Sequence, residues 1–170
     1  MTSFIALLRA VNVGGTGKLP MSDLKSICEE LGFGRVRTYI ASGNVVFTCG
    51  KSEAGIKAAL QAALEAYAGR PIGVSMRTAT EMAQVLAENP FPQAPANRTM
   101  AVFLDSPPPA NTLIQIRGQK DEQIVLGRRE IYIMYDEGMA KSKLVVPAAK
   151  TGTARNMNTV ATLARMAAES

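Results

Sequence analysis

The chain contains no histidine and no tryptophan, only two cysteines, and 5% aromatic residues in a length of 170. Each shortage removes a class of chemistry. Without histidine there is no Ser-His-Asp or Cys-His pair and no imidazole base, nor a haem held by an axial histidine. Two thiols, Cys28 and Cys49, make no disulfide framework. Without histidine they also fall short of a four-ligand zinc site. Proton transfer would fall to lysine, tyrosine, a carboxylate or a thiol. No metal site and no cofactor are expected, although carboxylate-held magnesium is compatible with the composition. Long hydrophobic runs are missing as well. The apolar stretch Phe4 to Leu8 is far shorter than the ~18 residues of a membrane span. Arg9 interrupts it and no basic residue precedes it, so a buried strand is expected rather than a signal peptide. The expectation is a cytoplasmic protein that makes no membrane contact.

What is present is the composition of a folded domain, 47% hydrophobic and 19% charged. The length suits one domain or two small subdomains. Net charge is +5, unevenly spread. Residues 1–77 carry nine Lys/Arg against five Asp/Glu, residues 78–137 five against eight, and residues 138–170 five against one. Basic ends around an acidic middle suit an anionic partner, a small molecule or a nucleic acid.

Periodicity organises the chain. Ser3 to Val11 reads as a strand buried on both faces, followed by the loop Asn12 to Lys18. Pro20 opens a helix with Leu24, Ile27, Cys28 and Leu31 on one face, stopped by Gly32 and Gly34. Arg35 to Ala41 and Val45 to Cys49 flank the turn Ser42-Gly43-Asn44 as a hairpin. A second helix starts near Ser52, carries the stripe Ile56, Leu60, Ala63, Leu64 and Tyr67, and ends at Gly69 and Pro71. Ile72 to Met76 is a fourth strand. The order β-α-β-β-α-β is that of a split βαβ unit, an antiparallel sheet covered by two helices. After a helix at Thr80 to Glu88 and the stiff linker Asn89 to Pro95, the order recurs. Met100 to Leu104 is a strand, Ala110 to Arg117 a helix, Glu122 to Leu126 and Glu130 to Tyr135 a hairpin, Lys141 to Val146 the start of a helix, and Asn156 to Ala168 a closing helix. The expected fold is α+β, with two ferredoxin-like subdomains at residues 1–77 and 78–170.

Three places carry candidate chemistry. Gly14-Gly15-Thr16-Gly17-Lys18 departs from the P-loop pattern, with Asn12 and Leu19 at its required positions. As a glycine-rich loop between strand and helix it either holds an anion on its backbone N–H groups, with Lys18 adding charge, or simply connects two elements. Arg9, placed within the first strand, either pairs with an acid at the core margin or reaches into a site. Towards the C-terminus, Arg155, Asn156 and Thr159 gather at a helix start, where the dipole favours an anion. Asn156 or Thr153 can equally serve as a cap there. Lys143 beside Ser142 has the makings of a base and nucleophile.

These residues, in order, resemble domain-of-unknown-function family 1697. The resemblance rests on Arg9 to Gly15, Lys18, Met21, Asp23-Leu24, Gly32-Phe33, Thr38 to Ile40, Ser42 to Phe47, and Thr153 to Asn156 with Thr159-Val160. It implies a small bacterial α/β protein with ferredoxin-like subdomains and no assigned activity. The motif residues it carries over are Arg9, Asn12, Lys18, Tyr39, Ser42, Asn44, Arg155, Asn156 and Thr159. The family's Arg-Asn-Trp is departed from here, because Met157 stands in the aromatic place.

Three functions follow as expectations. The first is a binding module for a nucleotide, a phosphorylated metabolite or RNA, through the motif residues and Lys143. The second is a histidine-independent enzyme working through Lys143, Lys18 or Tyr39, with Arg9 or Arg155 as an electrostatic clamp. The third is a protein-interaction module using the proline-rich segments 89–95 and 106–109. The oligomeric state is not legible at this level.

Overall fold

A computed structural model describes residues 1–13 and 17–169. The apolar run at the N-terminus forms β1 (Thr2–Leu8), whose residues Phe4 to Leu8 are all buried. Helix α1 (Met21–Glu30) opens behind Pro20, and the hairpin consists of β2 (Gly34–Tyr39) and β3 (Asn44–Cys49). Helix α2 (Glu53–Ala68) is capped by the Ser52 hydroxyl, which accepts from the Gly55 N–H at 3.2 Å. It ends at Gly69, whose φ of 74° is the left-handed conformation that glycine adopts without a Cβ penalty. Strand β4 (Val74–Thr78) closes the unit. The sheet order is β2-β3-β1-β4, antiparallel throughout, which is the ferredoxin-like arrangement.

Alternation along the strands sends Phe4, Ala6, Leu8, Val45, Phe47, Val74 and Met76 into one core with Leu24, Cys28, Ile56, Leu60 and Leu64 of the two helices. Burial pushes the Cys28 thiol up to about 12, so it stays protonated at neutral pH. The other face of the sheet is buried as well, at Ile5, Leu7, Val46 and the β4 residue Arg77, whose Nη1 donates to the Met76 carbonyl at 2.7 Å. Sequence periodicity had signalled burial of β1 on both faces but not a buried arginine.

Helix α3 (Ala79–Ala87) starts from a reciprocal cap. The Glu81 N–H donates to Thr78 Oγ1 and the Thr78 N–H donates to Glu81 Oε1. Strands β5 (Thr99–Phe103), β6 (Gln123–Leu126), β7 (Glu130–Met134) and β8 (Thr153–Asn156) form a second antiparallel sheet in the order β6-β7-β5-β8. The strand topology of the first sheet is therefore repeated. Helix α4 (Met157–Ala168) follows, the fourth α-helix among the described residues. Contacts divide the chain into two units, Met1–Met82 with Leu163–Ser170, and Ala83–Thr162. In the first, Arg37 of β2 donates to the Met166 carbonyl at 2.6 Å and so satisfies a backbone acceptor in the last turn of α4.

Three sequence expectations need correcting in the second unit. Ala110 to Arg117 is a series of turns rather than a helix. Both the N–H and the hydroxyl of Thr112 bond the Pro109 carbonyl, and Gly118 at φ 70° turns the chain away. Lys141 to Val146 is extended. Leu144 and Val146 point into the core with Val102, Leu104, Ile131 and Ile133, while Val145 is exposed and pairs with Arg117. That is period two, and Pro147 disfavours helix in the residue before it. Finally, residues 153–156, which the sequence reading left without a strand, form β8 beside β5.

Candidate anion-binding site

The end of β1 is where the first-unit candidates gather. Arg9 lies just beyond the strand rather than within it; its side chain is exposed and its N–H donates to the Gly73 carbonyl at 2.9 Å. The charge is therefore carried at the end of the sheet and not desolvated in the core. Asn12 is a staple. Its Nδ2 donates to the Leu19 and Ala41 carbonyls, each at 2.8 Å, and its Oδ1 accepts from the Leu19 N–H at 2.8 Å. One donation thus ties Asn12 to Leu19 ahead of α1, and the other ties it to the β2–β3 turn. Within that turn Asn44, fully buried, donates to the Tyr39 carbonyl at 2.9 Å and to Ser42 Oγ at 3.0 Å. The Gly43 carbonyl accepts from Leu8 at 2.8 Å. Tyr39, Ser42 and Asn44 are therefore brought to Arg9 and Asn12 by the backbone of one sheet end.

This sheet end is strained. Four non-glycine residues among those described have positive φ, and three of them lie here: Ala10 at 56°, Asn12 at 54° and Ile40 at 50°. Asparagine tolerates that region, but alanine lacks a side chain to bond locally and a β-branched residue there is an outlier. Each costs on the order of 1–3 kcal/mol, and such residues cluster at binding and active sites.

Lys18 is exposed at the end of the glycine-rich loop. Of that loop Gly14, Gly15 and Thr16 lie outside the described residues. Gly17, at φ 64°, has the Arg70 guanidinium where a Cβ would stand, and a Cβ would also approach the Ala10 carbonyl oxygen to 3.0 Å. Arg70 is a cation that the sequence reading passed over as the residue between two helix-stop signals. The only signal was topological. It precedes β4, whose Val74 pairs with Leu8, so the chain enters β4 beside the end of β1. Arg9, Lys18 and Arg70 together put three cations around one strained loop.

The remaining candidates belong to the second unit. Arg155 lies in β8 opposite Ala101 and donates to the Ala154 carbonyl at 2.9 Å. Burial pulls its guanidinium down to about 10, which leaves it charged at neutral pH. Asn156 is the cap of α4, its Oδ1 accepting from the Thr159 N–H at 3.0 Å, and Thr159 is buried in the first turn. Replacing Asn156 by alanine is expected to lower unfolding stability by about 1 kcal/mol. Urea denaturation reads this directly, and an unchanged midpoint would show that the cap contributes nothing. Lys143 is exposed and lines a cavity between two loops of the second unit.

The family described as "Protein of unknown function (DUF1697)" matches residues 1–132. The chain belongs to this family. The DUF1697 match takes in Arg9 through Asn44 and ends before Arg155, Asn156 and Thr159. No curated protein sequence matches the chain. Among solved structures it is similar to a conserved bacterial protein from Streptococcus pneumoniae, with 24% identity over 99% of each chain and a TM-score of 0.83. That likeness establishes a shared fold along the whole length, including the second unit that the family match leaves incomplete. Among the described residues no helix is long and apolar enough to cross a membrane.

Proposed function

We propose that the protein binds a small phosphorylated anion, a nucleotide or a sugar-phosphate-like metabolite, at the end of the first sheet. The observation that carries this reading is the strained loop pair around Asn12, with Arg9, Lys18 and Arg70 placed about it. Arginine suits phosphate because its planar fork donates two parallel hydrogen bonds, and lysine adds a mobile point charge. In this scheme Asn12, Ser42 and Asn44 are positioning residues. Their side chains hold the backbone that presents the cations. Tyr39, half-buried at the end of β2, borders the same turn.

The test is thermal unfolding against inorganic phosphate, nucleotides, phosphorylated sugars and a short single-stranded RNA at two salt concentrations. A ligand at a hundredfold excess over its Kd stabilises by about 2.7 kcal/mol. For a chain of 170 residues that is roughly 5–10 °C. The expected result is a shift from a small phosphate compound that disappears in Lys18→Ala and Arg70→Ala. It should persist in Lys51→Ala, which lies beyond the opposite end of β3. A shift from RNA alone that fades at high salt would replace the small-molecule reading with a backbone-reading surface. No shift from any of them would overturn both.

A further inference from the structure

We propose that β6 is an open sheet edge on which a second copy of the chain docks, strand against strand, antiparallel and two-fold symmetric about Val125. The pairing joins the second-unit sheets of both copies into one, and it does not rest on the phosphate site.

The first sheet ends on β2 and β4, the second on β6 and β8. An edge strand offers unpaired N–H and C=O groups to any other strand, and proteins blunt it with bulges and charged side chains, inward-pointing ones included. Every edge here but β6 is blunted in that way. Strand β2 is bulged between Gly34 and Arg37, holds Arg35 at φ 48°, and turns Arg37 to the Met166 carbonyl. Strand β4 carries the buried Arg77, and β8 the buried Arg155. Strand β6 reads Gln123-Ile124-Val125-Leu126, with no charge, no proline and an unbroken register on β7.

The phase of hydrogen bonding fixes which groups are on offer. The Gly127 N–H donates to the Glu130 carbonyl at 2.7 Å and closes the β6–β7 hairpin. Bonded and non-bonded pairs alternate along an antiparallel ladder. Val125 is therefore bonded to Tyr132, while Ile124 and Leu126 turn their N–H and C=O groups away from β7. No backbone bond from outside the sheet reaches either residue among the described residues. Their side chains pack on the core side with Ile131 and Ile133, and Val125 is 39% exposed on the other.

The segment is complementary to itself. In an antiparallel pair about Val125, Ile124 of each copy exchanges both backbone bonds with Leu126 of the other, and Val125 meets its counterpart across the axis. The same register lays the strand entry Asp121-Glu122 of one copy beside the turn Arg128-Arg129 of the other, at both ends by symmetry. The smallest slip that keeps the bonding phase is two residues. It sets Arg128 opposite Lys120 in one direction and opposite Ile124 in the other, so the opposite charges no longer meet. Glu122 and Arg128 have partners in their own chain, Ser142 and Glu88. The charges therefore select direction and register more than they add affinity. One segment, 121–129, supplies the edge and both complementary ends, which is what an isologous contact between copies requires. A strand this short buries little surface, so the pairing belongs to the weak, transient class.

The experiment is sedimentation equilibrium of the full-length protein from about 10 µM to about 1 mM, with amide hydrogen exchange by NMR at both extremes. The expected result is a monomer that passes into a dimer as concentration rises. With it, the Ile124 and Leu126 amides become protected severalfold, while the Val125 amide, already bonded within the sheet, changes least. Val125→Lys alters an exposed side chain and sets like charges against each other at the axis. It should weaken association roughly tenfold or more and leave the melting temperature of the dilute protein unchanged. Val125→Thr, which keeps the β-branch, should still associate. A monomer throughout the range overturns the proposal and leaves the edge to an extended segment of another protein. Association undiminished in Val125→Lys overturns it, as does association without added protection at Ile124 and Leu126, because the copies then meet through another face.

Discussion

Gly43→Ala is expected to lower the melting temperature by roughly 10 °C and to weaken phosphate binding with it. Gly43 has φ 93°, and a Cβ there would stand 2.7 Å from Val11 Cγ2 and 2.9 Å from Leu8 Cβ, both in the interior. Leaving the left-handed region to escape the backbone penalty of about 1–2 kcal/mol would break the 2.8 Å bond from the Leu8 N–H to the Gly43 carbonyl. Staying there forces an overpacked contact worth typically 1–3 kcal/mol. The two together convert to the stated shift at roughly 2–4 °C per kcal/mol for a chain of this size. Gly50→Ala is the control, because nothing lies within 4 Å of a Cβ at that position. Thermal unfolding by circular dichroism compares the two. If Gly43→Ala melts with the wild type, the close approach of the hairpin turn to β1 is not what holds this end of the sheet. If it melts low but binds phosphate normally, the sheet end is structural and the anion site lies elsewhere.

Phe47→Ala should be more damaging to stability, by about 3–5 kcal/mol, without any direct effect on the proposed sites. Phe47 is fully buried at the centre of β3. Its ring stacks on Phe33 at a centroid distance of 4.4 Å and 11° between planes, and meets Phe4 at 6.0 Å. Truncation removes the middle ring of a three-ring group in a core whose other members come from both helices, so the cavity is bordered by elements that cannot all close on it. Guanidinium denaturation gives the number. A loss below about 1 kcal/mol would mean that the core collapses freely around the missing ring, which the antiparallel sheet argues against.

The first unit was legible residue by residue because its signals are local. Leu24, Cys28, Ile56, Leu60 and Leu64 recur at helical spacing, Ser52 and Gly69 bracket α2, and Ser42-Gly43-Asn44 marks the hairpin. The second unit repeats the strand topology with little of the helix. Its crossovers pack Ile116, Leu144 and Val146 against the core from turns and extended chain, so their apolar spacing imitates α-helices that do not form. β8 escaped notice because Thr153 to Asn156 is polar in sequence and is a strand only through pairing with β5.

The candidate site divides along the same line. Asn12, Ser42 and Asn44 stood out as residue types suited to turns, yet Asn12 bonds the Ala41 carbonyl 29 residues away, and no spacing rule reports that. Arg70 had no motif at all. It is placed by the pairing of β4 with β1.

By itself the sequence determined that histidine chemistry is absent, that the chain is α+β, and that the split βαβ strand order, complete in the first half, begins again in the second through three of its four strands. Hydrophobic period and turn composition are properties of neighbouring residues, and they suffice for elements and their order. Only the tertiary structure decided that Arg9 sits beyond its strand, that Arg70 joins it beside Gly17, that Arg77 is buried, and that one oxygen of Asp121 has no hydrogen-bond partner among the described residues. Each is a relation between residues far apart in the chain, brought about by strand register and loop closure, which no local pattern encodes.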